Sequence, residues 1–225
     1  MEIYFTHKFL KMKILTLLVL IFGWINVNAQ SLEKMQWFNQ PKKWSIENQS
    51  LSMFVTPKSD FWRVTAYGFT VDDGPFYYAL EGGEFEVKVK ISGQYKTRYD
   101  HMGIMLRVNE KTWIKTGLEY VNEKITISTV VTNVRSDWSV IELSNIPKSM
   151  WIRAVRRLDS VELSYSFDDK VYTTMRQTWF PDNTPVMVGM AAASPDGEGF
   201  DALFEDFSIK HFPDARRLEW LERNK

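Results

Sequence analysis

Six side chains on two neighbouring segments set the chemistry this sequence offers. Residues 101–108 and 113–120 alternate apolar and polar, the period-two mark of half-buried strands. The alternation sends Met102, Ile104, Leu106 and Val108 to one side and His101, Gly103, Met105 and Arg107 to the other. In the second segment Trp113, Lys115, Gly117 and Glu119 oppose Ile114, Thr116, Leu118 and Tyr120. The connection Asn109-Glu-Lys-Thr112 is short and polar, so the two segments form a hairpin. His101, Met105, Arg107, Trp113, Lys115 and Glu119 then share one surface. That set suits a saccharide. Trp113 stacks on a sugar ring, and Lys115 and Arg107 hold carboxylates or hydroxyls. Glu119 accepts hydrogen bonds from hydroxyls, or works as acid or base. Gly117 weakens a strand unless something approaches it closely. The competing reading is a cross-strand Lys–Glu and Arg–Glu network that only covers the sheet.

Further residues border this face. Tyr99 and Asp100 enter the first strand of the hairpin. Residues 133–137 read as a loop, with Asp137 and Trp138 closing over one end of the face; Trp138 suits a core role equally well. Trp62 and Arg63 lie in an earlier apolar stretch with no facing assigned, and Arg153 beside Trp151 reads as structural. Were the protein an enzyme, Glu119 with Asp100 or His101 would act. Glycoside hydrolysis needs two carboxylates about one bond. Glu119 is the acid placed on the face, so Asp100, Asp137 or Glu198 would bring the second from a loop.

The elements that must position these groups are strands throughout. Phe85, Val87, Val89 and Ile91 alternate with Glu86, Lys88 and Lys90. Residues 124–132 are rich in Thr, Ile and Val, and 160–167 alternate again. Residues 185–193 and 202–209 complete the set, with the loop Pro195-Asp-Gly-Glu-Gly199 between them. The tail 214–225 follows Pro213 and reads as a short helix with Asp214 as its N-cap. Short strands, frequent turns and no long helical period imply a two-sheet sandwich or barrel in one domain, residues 30–213.

Composition narrows the function. The chain of 225 residues carries 28 Lys plus Arg and 28 Asp plus Glu, a formal net charge of zero. No basic excess draws a phosphate backbone, so a nucleic-acid partner is not expected. There is no cysteine, which excludes thiol catalysis, disulfides and Cys-based zinc sites. Aromatics reach 15%, enough for strand cores and for sugar stacking. No Gly-rich phosphate loop and no Gly-x-Ser-x-Gly elbow occurs. No cofactor is expected. Calcium is the one candidate ion, at Asp72-Asp73, Asp168-Asp169 or Asp196 with Glu198, none with EF-hand spacing.

The N-terminus reads as an export signal. Lys8, Lys11 and Lys13 precede the apolar run 14–24, and Asn28-Ala29 offers a cut before Gln30. A basic region, a short apolar region and a small residue at the cut make a signal peptide. The run is shorter than the roughly 20 residues that span a bilayer. Residues 1–29 are therefore expected to be removed, with Met12 as an alternative start, leaving a periplasmic or secreted protein without a membrane anchor.

One family shares this string of motifs. It runs through Gly93-Gln-Tyr-Lys-Thr-Arg-Tyr-Asp100, Gly103-Ile-Met-Leu-Arg107 and Trp113-Ile-Lys-Thr-Gly-Leu-Glu-Tyr-Val121. It continues through Ser128-Thr-Val-Val-Thr132, Ser136-Asp-Trp-Ser139, Trp151-Ile-Arg153, Ala192-Ala-Ser-Pro195 and Phe204-Glu-Asp-Phe207. From about Met35 to Phe212 the sequence resembles the domain of unknown function 1349 family, whose eukaryotic members are called regulation of enolase proteins. The resemblance implies a concanavalin A-like jelly-roll sandwich with ligands on its concave sheet, and no reaction. His101 stands where relatives often carry Gln, and Asp168-Asp169 where Asp-Gly is common.

The preferred expectation is an exported carbohydrate-binding protein with an oligo- or polysaccharide partner. An enzyme on the same fold is the alternative. The Glu-x-Asp-x-Glu strand of glycoside hydrolase family 16 is missing. Trp113-Ile-Lys-Thr-Gly117 is faintly similar to the Tyr-Phe-Lys-Ala-Gly strand of alginate lyases, whose partner motifs are missing too. A protein-interaction module is the third reading.

Overall fold

The computed structural model describes residues 32–144, 147–182 and 184–224; the segment read as a signal lies outside them. In chain order the strands are β1 (Gln36–Phe38), β2 (Lys43–Glu47), β3 (Ser50–Phe54), β4 (Phe61–Arg63), β5 (Thr70–Asp72), β6 (Phe76–Glu81), β7 (Phe85–Gly93) and β8 (His101–Asn109). They continue as β9 (Thr112–Val121), β10 (Lys124–Asn133), β11 (Arg135–Glu142), β12 (Met150–Arg157), β13 (Ser160–Ser166), β14 (Thr173–Trp179), β15 (Val186–Ala193) and β16 (Asp201–His211), before helix α1 (Ala215–Arg223). The first sheet has the order β1-β6-β15-β8-β9-β10-β11, the second β14-β13-β12-β7-β16-β3-β2. Strands β4 and β5 form a separate hairpin.

The two sheets bury one apolar core between them. Phe85, Val87, Val89 and Ile91 of β7 point into it, while Glu86, Lys88 and Lys90 face outward. From the first sheet Met102, Ile104, Leu106, Ile114 and Leu118 meet that row. Each such side chain contributes about 1.5–3 kcal/mol when it leaves water. Turn chemistry sets the register. Asn48-Gln49 and Asn122-Glu123 both hold left-handed φ in the two-residue turns β2–β3 and β9–β10, the mirror-image turn whose twist matches paired strands.

The first sheet differs from an ordinary half-exposed sheet. Strand β8 is buried from His101 to Arg107, and β9 from Trp113 to Glu119, on both faces. The cover comes from residues 55–75, which carry β4 and β5 across the sheet's outer face. Phe61, Phe76, Met105, Trp113, Val130 and Ala191 form a second apolar cluster there.

Residues 133–137 are not a loop. The chain turns at Val134, φ 65°, and Arg135 to Glu142 pairs with β10 along its whole length as the sheet's last strand. Thr132 and Ser136 join their hydroxyls across the turn at 2.9 Å, which leaves no slack for a loop. Past Pro213, α1 begins where the Asp214 carboxylate accepts hydrogen bonds from the Arg216 and Arg217 amides, an N-cap that satisfies two of the helix's orphan donors.

Candidate functional site

The outer face of the first sheet holds a cavity of about 320 Å³, within the size range of small-ligand sites. Its floor is Lys115 and Glu119 of β9, Val130 of β10 and Trp138 of β11. Three loops raise the walls. The β4–β5 hairpin brings Trp62, Tyr67 and Phe69, the β7–β8 loop brings Arg98 and Tyr99, and the β15–β16 loop brings Pro195 and Asp196. Asp60, just before β4, closes the inner end.

Each floor residue is fixed by sheet register. Trp138 lies opposite Val130, which lies opposite Lys115, so three strands present one row. Glu119 sits four residues further along β9, on the same face and opposite His101 on β8. The Trp138 indole N–H donates to Glu119 Oε2 at 2.9 Å and to Ser128 Oγ at 3.1 Å. Lys115 Nζ donates to Asp60 Oδ1 at 3.1 Å and to His101 Nε2 at 2.9 Å.

These contacts determine the state of the buried histidine. An ammonium only donates and a carbonyl only accepts. Nε2 of His101 therefore accepts from Lys115, while Nδ1–H donates to the Tyr99 carbonyl at 2.9 Å. Burial, and then the Lys115 charge, hold the imidazole below its ordinary pKa against the pull of Glu119 and Asp60. His101 is thus neutral, and it props Lys115 from beneath. Burial alone would raise Asp60; the Lys115 charge, then His101 and the bonds from Lys115 and the Phe61 amide, outweigh it and keep the carboxyl below the usual range.

The rim is aromatic and open. Tyr67 is 59% exposed, Phe69 48% and Trp138 38%. Tyr67 stacks on Phe69 with centroids 5.5 Å apart, and Trp62 meets Tyr67 edge-on at 6.2 Å. Tyr99 stands edge-on to Trp138 at 6.3 Å and is backed by the Arg98 guanidinium over its ring at 4.3 Å. The Trp62 indole N–H donates to the Thr65 carbonyl at 2.9 Å, and the Arg63 amide donates to Ser136 Oγ at 2.9 Å. The hairpin is thereby tied to β11.

Of the eight residues expected to bind ligand, Tyr99, Lys115, Glu119 and Trp138 line the cavity, and the other four do not. Trp113 is 1% exposed and packs against Phe61, so no face of its ring is open to a sugar. Arg107 is 4% exposed. Its guanidinium grips Asp72 with both nitrogens, at 2.7 and 2.6 Å, and lies over Phe38. Asp100 is fully buried and accepts from the Lys96 and Thr97 amides and the Ser194 hydroxyl, which fastens two loops together. His101 lies below Lys115 instead of lining the cavity. Trp138 and Asp137 reach their places from an edge strand, not a loop.

Gly117 also has its explanation. It lies directly opposite Gly103, and a Cβ on either would come within 2.0 Å of a carbonyl oxygen of the facing strand. What approaches Gly117 closely is the backbone of β8.

Apart from Asp196, the acids weighed for calcium are engaged by the chain's own donors. Asp72 holds Arg107, Asp169 holds Lys88, Glu198 pairs with Lys58, and Asp168 accepts from the Lys170 and Val171 amides. Among the described residues no group of three or more His, Asp or Glu is placed to hold a metal ion.

Asp60, Trp62, Tyr67, Phe69, Arg98 and Asp196 complete the site without having been assigned to it from sequence. Tyr67 and Phe69 sit in a loop with no periodicity, and Asp60 lies 55 residues from the lysine it pairs with. A cluster of four aromatics at 61–69 beside an acid was the available signal.

Two packed antiparallel sheets with a ligand-sized cavity on the outer face of one define a concanavalin A-like jelly-roll domain. A protein from Bacillus licheniformis described as GH43 BlXynB shares the fold at TM-score 0.65 and 17% identity, over 84% of this chain and 40% of that one. The carbohydrate-binding module CBM66 from Bacillus subtilis shares it at TM-score 0.52 and 11% identity, over 79% and 98%. The chain belongs to the family described as "Protein of unknown function (DUF1349)", whose sequence profile matches residues 37–212. Regulation of enolase protein 1 of Saccharomyces cerevisiae is 32% identical over 185 residues, 81% of this chain and 93% of the relative. A crystal structure of a functionally unknown protein from Saccharomyces cerevisiae superposes at TM-score 0.79 and 31% identity, over 82% of this chain and all of that one.

Proposed function

We propose that this protein is an exported saccharide-binding domain whose ligand sits in the cavity between the first sheet and the β4–β5 hairpin. The observation that carries the reading is the pairing of an open aromatic rim with a charged, hydrogen-bonding floor. Tyr67, Phe69 and Trp138 offer ring faces to the apolar side of a pyranose. Glu119, Lys115 and Asp196 offer the acceptors and donors that fix hydroxyls. The likeness to a carbohydrate-binding module supports the reading. The N-terminal signal supports export; sequencing the N-terminus of the mature protein tests it, with Gln30 expected first and an intact residue 1 or 12 counting against it.

Screening the mature protein against a broad glycan panel tests the binding, beside Tyr67→Ala and Glu119→Gln. Saturable binding, weakened about tenfold or more in each variant (roughly 1.4 kcal/mol), is the expected result. Absence of binding to every glycan overturns the proposal and moves the search to protein partners.

An enzyme is the second reading, because Asp60 and Glu119 place two carboxylates on one cavity. Asp60 supplies the second acid that Asp100 does not. Held deprotonated by Lys115, Asp60 suits a base and not a proton donor. Release of shorter sugars from a bound glycan, lost in Asp60→Asn, would establish catalysis.

A further inference from the structure

The charges around the cavity carry the proposal further, to the class of saccharide, and this step rests on the saccharide reading above. Asp60, Glu119 and Asp196 line the cavity against Lys115 and Arg98, an excess of one negative charge. The two cations are already engaged. Lys115 is held by Asp60 and His101, and Arg98 lies on the Tyr99 ring and donates to its hydroxyl. His101, beneath the floor, adds no positive charge. Glu119 is 6% exposed and receives one hydrogen bond, from Trp138. Among the described residues it has no cation within ion-pair distance.

A buried carboxylate without a counter-charge is costly unless a ligand brings one. The rim favours the same kind of ligand, because the faces of Trp and Tyr attract cations. We infer that the cavity is built for a saccharide bearing a protonated amine, with the ammonium at Glu119 and the apolar ring face against Tyr67 and Phe69. A uronate would set its carboxylate against Glu119 and Asp196 and be refused.

The test compares β-1,4-linked oligomers of glucosamine, glucose and glucuronic acid, equal in length, titrated calorimetrically into the mature protein at low salt and neutral pH. The glucosamine oligomer is expected to bind about tenfold more tightly than the glucose oligomer, since a charge-assisted hydrogen bond is about twice as strong as a neutral one. The uronate oligomer is expected not to bind measurably. In Glu119→Gln the amine advantage falls towards onefold. Should that variant fail to fold, the wild type answers alone: the advantage must shrink with added salt and vanish once the pH is high enough to discharge the sugar amine. Equal affinity for the glucose and glucosamine oligomers, or preference for the uronate, overturns this inference and leaves the saccharide reading standing. Failure of all three oligomers, and of every glycan on the panel, overturns both.

Discussion

Trp113 and Trp138 lie two strands apart on the same sheet face and meet opposite fates. Trp113 is sealed under Phe61, whereas Trp138 sits at the sheet edge, 38% exposed, with its indole N–H on Glu119. Their substitutions should separate accordingly. Trp113→Ala removes a fully buried aromatic and is expected to cost about 3–5 kcal/mol of stability, read from the denaturant midpoint. Trp138→Phe keeps most of the ring and loses the N–H. It is expected to weaken ligand binding with little change in that midpoint. Arg107→Ala belongs with the first kind, because it strands Asp72; a loss of about 3 kcal/mol is expected, and an unchanged midpoint would show the pair to be idle. The identities of Lys115 and Glu119 as face residues were legible in the sequence, since period two places them without further knowledge. Whether that face is open was not legible. Exposure depends on residues 55–75, which alternation along β8 and β9 does not register.

At the scale of elements, the hairpin β4–β5 turns a sheet face into a cavity. Each of its strands is three residues long, too short for a periodic signal, and its loop holds Val64 and Ala66 at positive φ. A β-branched residue there is a rare choice. It is sustained by the amide of Val64 donating to the Phe69 carbonyl and that of Gly68 to the Val64 carbonyl. The central strands, by contrast, could be read directly, because β7, β8, β9 and β13 alternate cleanly over seven residues or more. Strand β11 was missed since Asn133-Val-Arg-Ser-Asp137 has the composition of a loop, while its Ser136 hydroxyl bonds that of Thr132 on β10 across a tight turn. The facing glycines give an element-scale test. Gly103→Ala or Gly117→Ala sets a methyl against backbone that has no room to move. Each is expected to lose about 2–3 kcal/mol or to prevent folding. A neutral result in thermal melts would show that β8 and β9 can separate at that point.

The whole molecule should register His101 as a dependence of stability on acid. Its imidazole is held below its ordinary value by burial and by Lys115, while in the unfolded chain it titrates near 6.5. Above about 6.5 both states carry neutral His101 and its full contribution is present. As the pH falls below that, the unfolded chain takes up a proton that the native state refuses, so stability declines until the lowered native pKa is reached. Asp60 adds a second loss, as the pH falls below the ordinary carboxylate range near 3.9 through its own lowered value. Denaturant unfolding followed from pH 8 to pH 4 should show the first decline, and His101→Gln should flatten it. A decline that survives in His101→Gln would assign it to other groups. The fold itself was legible at this scale: short alternating strands, polar turns and no helical period already imply a sandwich. The pairing of Asp60 with Lys115 across the molecule was not, because no local pattern links residues 55 positions apart.

The central claim is that saccharide enters the cavity under the β4–β5 hairpin. Following the tryptophan indole N–H resonances by NMR during a saccharide titration tests it most directly. The indoles of Trp62 and Trp138 are expected to shift saturably with one shared affinity, while buried Trp113 stays in place. Binding that leaves Trp62 and Trp138 unmoved, or that shifts only Trp44 beside the groove of the second sheet, would contradict the account.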